Sequence, residues 1–392
     1  MLQCRKENGK LIITLTGTID SSNSKETESE IQTLRKASPC ESVELDCGRL
    51  GYITSAGLRV ILRLKQEVDD TVLSNVSPEL YNIFDMTGFV DMMEVRKAYR
   101  VICVEGCEVI GQGANGKVYR IDPDTIVKAY LNPDALPEIH RERELARLAF
   151  VAGIPTAISY DVVRIEGGGY GAVFELLNAK SYAKLLIGGE KTPDEISEMS
   201  VKLLKQIHSK AIRSEILPDM KAVAVNWAEF LREYLPCEHA EKLCALISAV
   251  PDDPHLIHGD YHLKNVMLQN DESLLIDMDT LCHGHPIFEL ASMYNAYQGF
   301  GLTDPSALEA FLGIPYETCG KIWRKSLELY LGTSDKSRLD EVETKAMVIG
   351  LTRLMRREIR RDGMNRQNGR MMIEACRSAL TALLPQVDTL VF

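Results

Sequence analysis

Residues 258–265 read His-Gly-Asp-Tyr-His-Leu-Lys-Asn, and twelve residues past Asn265 stands Asp277, within Leu275-Ile-Asp-Met-Asp279. Transfer of a phosphoryl group asks for little covalent chemistry from a protein. It does ask for magnesium, fixed phosphates and an oriented nucleophile. A loop aspartate that takes the acceptor proton, an asparagine five residues on that binds the metal and a second aspartate on the next hairpin supply those needs. Asp260, Asn265 and Asp277 stand at that spacing. Each piece alone also reads as a turn followed by solvated carboxylates, so the weight lies in the set.

Upstream, the run Gly111-Gln-Gly-Ala-Asn-Gly-Lys-Val-Tyr119 is followed by Ile126-Val-Lys-Ala-Tyr130. Glycines let backbone amides come close to phosphates. Gly111, Gly113 and Gly116 also match a dinucleotide fingerprint, but that motif opens a helix, and here Lys117-Val-Tyr-Arg-Ile121 continues as a β-branched and aromatic strand. A hairpin is therefore expected, with Lys128 on the following strand holding the α and β phosphates. A carboxylate from the next helix should pair with it. Glu142 and Glu144 are the candidates. Leu145, Ala146 and Ala149 follow Glu142 at plus three, four and seven, which puts Glu142 on the inward stripe.

Residues from about 107 to 385 resemble the aminoglycoside phosphotransferase and choline kinase family. The resemblance implies a bilobal protein-kinase-like fold, with an N-lobe over 107–177 and a helical C-lobe over 178–392. It implies Asp260 as catalytic base, Lys128 and Glu142 as the ion pair, and Asn265 and Asp277 as magnesium ligands, with Asp279 as a further ligand. Gly111, Gly113, Gly116 and Val118 would cover the nucleotide. The stretch Phe174–Leu177, with Glu175 and Leu177, would hold adenine through its backbone, and His258 would brace the loop. The cofactors implied are magnesium and ATP or GTP. Only residues 280–288 separate Asp279 from Glu289-Leu-Ala-Ser-Met-Tyr294, read as the start of an amphipathic helix, so there is no room for a peptide-docking platform. A small-molecule hydroxyl acceptor is therefore expected in preference to a protein side chain. His208, His283 and His285 read as structural. His262, between base and metal ligand, reads as either a loop-packing or an orienting residue.

The first hundred residues read as a separate α/β unit. Strands are expected at Leu11–Thr16 and Val43–Cys47, and helices near Ser24–Lys36 and from Ser55. The segment Leu50-Gly-Tyr-Ile-Thr-Ser-Ala-Gly-Leu-Arg-Val-Ile-Leu62, with Asn75-Val-Ser-Pro-Glu-Leu80 and Met86-Thr-Gly-Phe89, resembles the STAS domain of bacterial anti-sigma factor antagonists over residues 1–100. In that family the serine after an acidic position is phosphorylated by a partner anti-sigma kinase. The position maps to Ser55, with Thr54 where aspartate is usual. Ser55 is thus a candidate phosphoacceptor, and an anti-sigma factor or similar regulator a candidate partner. A serine there also reads as a helix cap. The fold class expected is a small α/β domain followed by a bilobal α+β phosphotransferase domain.

A net charge of −11 over 392 residues disfavours a general nucleic-acid binder. The basic run Arg353, Arg356, Arg357, Arg360 and Arg361 reads as a solvated helix face, or alternatively as an attractor for an anionic substrate or partner. Ten cysteines without a Cys-x-x-Cys pair suggest reduced, structural thiols. The start Met-Leu-Gln-Cys-Arg-Lys-Glu-Asn has no apolar core for a signal peptide, and no stretch is long and apolar enough to span a bilayer. A cytoplasmic protein with no membrane partner is expected.

Overall fold

Alternation of apolar residues drives the first sheet. In the strand Lys10–Ile19, Leu11, Ile13 and Leu15 belong to the core, and Ile12 between them is buried as well but lies outside that cluster. The computed structural model describes residues 2–7, 9–113, 115–212 and 215–392. Met1 and Asn8 of the amino-terminal stretch and Ala114 of the glycine-rich run lie outside the described residues, as do Arg213 and Ser214. The chain divides into two units, residues 1–103 with 162–168, and residues 104–161 with 169–392.

The first unit carries β1 (Gln3–Glu7), β2 (Lys10–Ile19), α1 (Ser24–Ala37), β3 (Ser42–Ile53), α2 (Ser55–Glu67), β4 (Asp70–Val76), α3 (Pro78–Met86), α4 (Phe89–Met92) and β5 (Glu94–Lys97). The sheet order is β1-β2-β3-β4-β5, with β1 antiparallel to β2 and the other pairs parallel. Strand β3 runs six residues beyond the expected Cys47, because β2 stays paired with it as far as Ile19 opposite Ile53. A short β6 (Arg100–Ile102) pairs in parallel with residues 163–165. The core gathers Leu11, Ile13, Leu45, Leu73 and Phe84.

Helix α2 shows how tightly this unit is set. A Cβ on Gly57 would stand 2.6 Å from Ile53 Cγ1 and 2.9 Å from the Ile19 carbonyl oxygen, so only glycine lets the helix lie this close to the strands. The cap role read for Ser55 is corrected. Thr54 occupies the N-cap with no side-chain cap hydrogen bond, its hydroxyl donating instead to the Ile19 carbonyl. Ser55 is the first helical residue and is exposed.

The second unit opens with β7 (Glu108–Gln112), β8 (Gly116–Asp122), β9 (Thr125–Tyr130) and α5 (Leu136–Val151). After β10 (Asp161–Ile165), whose residues 162–165 fall in the first unit, comes β11 (Tyr170–Glu175). Strands β7, β8, β9 and β11 form an antiparallel run. Then follow β12 (Lys180–Ser181), α6 (Tyr182–Ile187), α7 (Pro193–His208), α8 (Met220–Phe230), α9 (Cys237–Ser248), β13 (Leu256–Ile257), β14 (Val266–Gln269), β15 (Glu272–Leu275) and β16 (Cys282–His283). Last come α10 (Ile287–Tyr297), α11 (Pro305–Leu312), α12 (Tyr316–Leu331), α13 (Lys336–Arg360) and α14 (Gln367–Leu383). Thr192 and Glu195 form a capping box at the start of α7, with Pro193 at its first position.

Two expectations fail here for one reason. Helix α10 begins at Ile287 and is buried on every face, so it is a core helix and not an amphipathic one. Helix α13 packs along it and along α14, which turns Arg353, Arg356 and Arg357 away from full solvent; only Arg360 and Arg361 of the basic run are exposed. Half of the ten cysteines, Cys47, Cys244, Cys282, Cys319 and Cys376, are buried. Among the described residues no helix is long and apolar enough to cross a membrane.

Candidate active site

The loop between β13 and β14 carries Asp260, and its path is dictated by glycine. Gly259 has φ +81°, and a Cβ on it would sit 2.6 Å from the Thr280 carbonyl oxygen. The buried Glu289 of α10 then accepts the backbone N–H groups of both His258 and Gly259, the latter at 3.0 and 3.2 Å. Arg353 donates to the Gly259 carbonyl at 2.7 Å, Ser292 to the same oxygen at 3.0 Å, and Thr280 to the His258 carbonyl at 2.8 Å. His258 accepts the Asp260 N–H at Nδ1 (3.3 Å), and its Nε2 lies 3.3 Å from the Ile276 carbonyl.

The register of the β14–β15 hairpin pairs Val266 with Leu275, and the Ile276 N–H donates to the Asn265 carbonyl (3.0 Å). Asn265 is thereby set beside the residue preceding Asp277. Its side-chain amide donates to the Asp260 carbonyl at 3.0 Å, which leaves its own carbonyl oxygen for another partner. Asp277 adopts the left-handed conformation (φ +63°), a region where aspartate is tolerated and where functional turns often sit.

Lys128 meets Glu142 at 2.9 and 3.0 Å and Asp277 at 2.8 Å. Glu144 is exposed and pairs with Arg147. Tyr130 also donates to Glu142. Burial works against the Lys128 charge, but Glu142 and Asp277 overcome it and hold the ammonium well above its ordinary range. Burial would likewise raise the Asp260 carboxyl; the His262 hydrogen bond and the charges of His262, Arg353 and His258 outweigh it and keep the group well below the usual carboxylate range. His262 Nε2 stands 3.5 Å from Asp260 Oδ2. Asp279 is pushed up to about 7 by burial and then by the charges of Asp277 and Glu142.

The glycine-rich hairpin separates its glycines by role. A Cβ on Gly116 would lie 2.4 Å from the Ala129 carbonyl oxygen, so glycine there is required by the fold. Gly113 faces open space, and its N–H is tied to the Gly116 carbonyl at 2.9 Å. Gly111 is opposite Val118 and would meet it at an ordinary 3.6 Å. Val118 in turn is opposite Lys128. Asn115 of the same loop donates to Asp279 Oδ2 at 3.2 Å. At the far end of β11, Leu176 donates to the Asp124 carbonyl (2.7 Å).

Asn265, Asp277 and Asp279 offer oxygen donors with more negative charge than Lys128 alone neutralises, which is the chemistry a hard divalent cation prefers. Among the described residues no three His, Cys, Asp or Glu are grouped as a metal cage. Magnesium characteristically takes one or two carboxylates plus phosphate and water, so the donor set fits it.

Sequence reading did not assign Glu289, Ser292, Thr280, Arg353, Tyr130 or Asn115 to this site. Arg353 stood in the basic run read as a solvated face or, alternatively, as an attractor for an anionic substrate or partner, and Glu289 in the sequence of a helix read as amphipathic. The signal for both is a charged residue on an otherwise apolar helix face. His208 ends α7, bonds Tyr330 at 2.7 Å and stands 3.8 Å from Glu289, a structural position.

Comparison with known proteins matches residues 106–317 to the phosphotransferase enzyme family and residues 1–101 to the STAS domain. A curated relative, the putative anti-sigma factor antagonist BtrV of Bordetella bronchiseptica, is 36% identical over 94 residues, which is 23% of this chain and 80% of the relative. Among solved structures, the ADP-bound aminoglycoside phosphotransferase APH(2'')-Ib is 15% identical, covering 79% of this chain and 99% of that one at a TM-score of 0.48. A choline/ethanolamine kinase family protein from Mesorhizobium loti is 14% identical, covering 72% and 89% at a TM-score of 0.46.

Proposed function

This chain belongs to the phosphotransferase enzyme family and carries an N-terminal STAS domain, and from that premise we propose that it transfers the γ-phosphoryl group of ATP or GTP to a hydroxyl of a small molecule. The observation that carries the reading is the convergence of Asp260, Asn265, Asp277, Lys128 and Glu142, from four separate segments, on one site. Asp260 accepts the proton of the acceptor hydroxyl as that oxygen bonds the γ-phosphorus. The bond from the γ-phosphorus to the bridging oxygen breaks, and the nucleoside diphosphate leaves with the electron pair. Because Asp260 is a weak base, its main service is to orient the hydroxyl, which suits a loose transition state in which bond breaking leads. Lys128, fixed by Glu142, holds the α and β phosphates. Asn265 and Asp277, with Asp279 beside them, would hold magnesium, which supplies neutralising charge across the phosphates when bound. The hairpin around Gly113 covers the phosphates, and the backbone of Glu175 and Leu177 takes the base.

The STAS unit regulates or localises this activity in the cytoplasm. Exposure of Ser55 at the start of α2 favours a second reading, in which the unit engages an anti-sigma-type regulator and the phosphotransferase unit senses nucleotide. A phosphate at that helix start would be favoured by free amides and the helix dipole.

The test is nucleotide consumption by the purified chain with magnesium across a panel of hydroxylated metabolites and aminoglycosides, beside Asp260→Asn. Acceptor-dependent turnover lost in the variant supports the enzyme. Tight nucleotide binding with no turnover on any acceptor, and with Ser55 unmodified, moves the assignment to the sensor.

A further inference from the structure

A chain of ring and cation contacts leads away from Asp260. His262, 3.5 Å from the Asp260 carboxylate, packs edge-on against Phe311 with ring centroids 5.1 Å apart. Phe311 meets Phe300 edge-on, again at 5.1 Å. Each phenylalanine carries a cation over its face: the Lys264 ammonium lies 5.6 Å from the Phe311 centroid and the Arg357 guanidinium 4.8 Å from that of Phe300. One turn earlier on α13, Arg353 reaches the Gly259 carbonyl beside the base.

Arg357 is the informative member. Burial opposes its charge, Arg361 and Arg353 oppose it further, and Glu358 and Asp260 favour it. Glu358 is already engaged by Arg366 at 3.3 Å. The Arg357 Nε is buried and has no hydrogen-bond partner. A guanidinium stays charged in any such setting, and stacking on one ring recovers only part of its lost hydration. A buried donor without a partner costs free energy, and the side chain as a whole is only partly buried, so the rest of the guanidinium is the part an incoming anion would pair with. The whole chain has a net charge of −11, so cations gathered beside the base do not mirror a generally basic surface. The flat fork of arginine matches a carboxylate or phosphate with two parallel hydrogen bonds. Half-buried Phe300 and Phe311 supply an apolar wall for a carbon skeleton.

We propose that the acceptor carries, besides the hydroxyl that receives the phosphoryl group, a carboxylate or phosphate held by Arg357 and Lys264 against Phe300 and Phe311. The proposal rests on the phosphotransferase reading above. A polyamine acceptor would meet like charge at the same place.

The test uses the full chain. ADP with magnesium is titrated first. Then gluconate and glycerate, glucose 6-phosphate and glycerol 3-phosphate, the neutral glucose and glycerol, and the polycation kanamycin are titrated calorimetrically onto the ADP-loaded protein and assayed as acceptors with ATP. The expected result is binding and turnover of an anionic compound at least about tenfold better than its neutral counterpart, the carboxylate and phosphate arms showing which anion is read. Arg357→Gln should raise the KM for that compound about tenfold or more, with ADP affinity held, and Arg357→Lys should recover part of the loss. Preference for a neutral or cationic compound, or an unchanged KM in Arg357→Gln, overturns the proposal. Failure of every anion to bind a protein that binds ADP overturns it alone, whereas failure of ADP to bind overturns the phosphotransferase reading and this one together.

Discussion

Removing the Glu289 carboxylate should both destabilise the second unit and disorder the loop that carries Asp260. The side chain is fully buried and accepts the N–H groups of His258 and Gly259, with His208 3.8 Å away. Glu289→Ala leaves two amides unsatisfied in the core, at about 1–3 kcal/mol each, and opens a cavity, so a loss of about 3–5 kcal/mol is expected. Glu289→Gln retains one acceptor oxygen but turns an amide toward the other N–H, and about half that loss should follow. A misplacement of the base by about 1 Å can cost on the order of a hundredfold in turnover, so kcat should fall in both variants while nucleotide KM moves little. The assay is urea unfolding followed by tryptophan fluorescence. Trp227 and Trp323 are the two tryptophans of the chain and both lie in the second unit, so the signal reports that unit alone. A Glu289→Ala midpoint corresponding to less than about 1 kcal/mol of lost stability would refute the reasoning, because the two amides would then have found other partners.

Glycine substitutions in the hairpin should split. Gly113→Ala, with open space around it, should fold as the parent does, whereas Gly116→Ala, 2.4 Å from a carbonyl oxygen, should cost about 1–3 kcal/mol and weaken nucleotide binding; thermal melts and an ADP titration of both variants decide it. In the first unit, Gly57→Ala should be similarly destabilising through Ile53 and Ile19, and Ser55→Ala nearly neutral, readable in the melting of the STAS unit by circular dichroism. For pH, burial raises the Glu289 carboxyl, but the His208 ring 3.8 Å away, the charge of His258 and the backbone N–H of His258 outweigh it and hold the group below its ordinary value. A lowered carboxylate contributes stability that is full above its unfolded pKa of about 4.3 and is lost as pH falls through the lower folded value. Melting of the second unit should therefore weaken on acidification below that point, and Glu289→Gln should flatten this part of the profile; an unchanged slope would remove Glu289 as the cause.

Much of the site was legible because its spacing is local. Asp260 and Asn265 are joined by one loop, and the interval to Asp277 is one tight hairpin whose register follows from its length. The stripe of Leu145, Ala146 and Ala149 pointed to Glu142 because a helical period of 3.6 residues fixes which side chains share a face. The alternation in β2 announced its strand for the same kind of reason.

The partners of the loop were not legible. His258 and Glu289 are 31 residues apart, and Gly259 and Arg353 are 94 apart. A basic run at helical spacing looks the same whether its face meets water or another helix, and only the packing of α13 along α10 brought Arg353 onto a carbonyl and Arg357 over Phe300. The length of β3 and the position of Thr54 rather than Ser55 at the N-cap were set in the same way, by pairing with β2. The sequence by itself determined which local elements form and which chemistry-bearing residues lie a loop or a turn apart. Tertiary structure decided which buried charges meet, because desolvation and hydrogen bonding depend on neighbours that chain order does not specify.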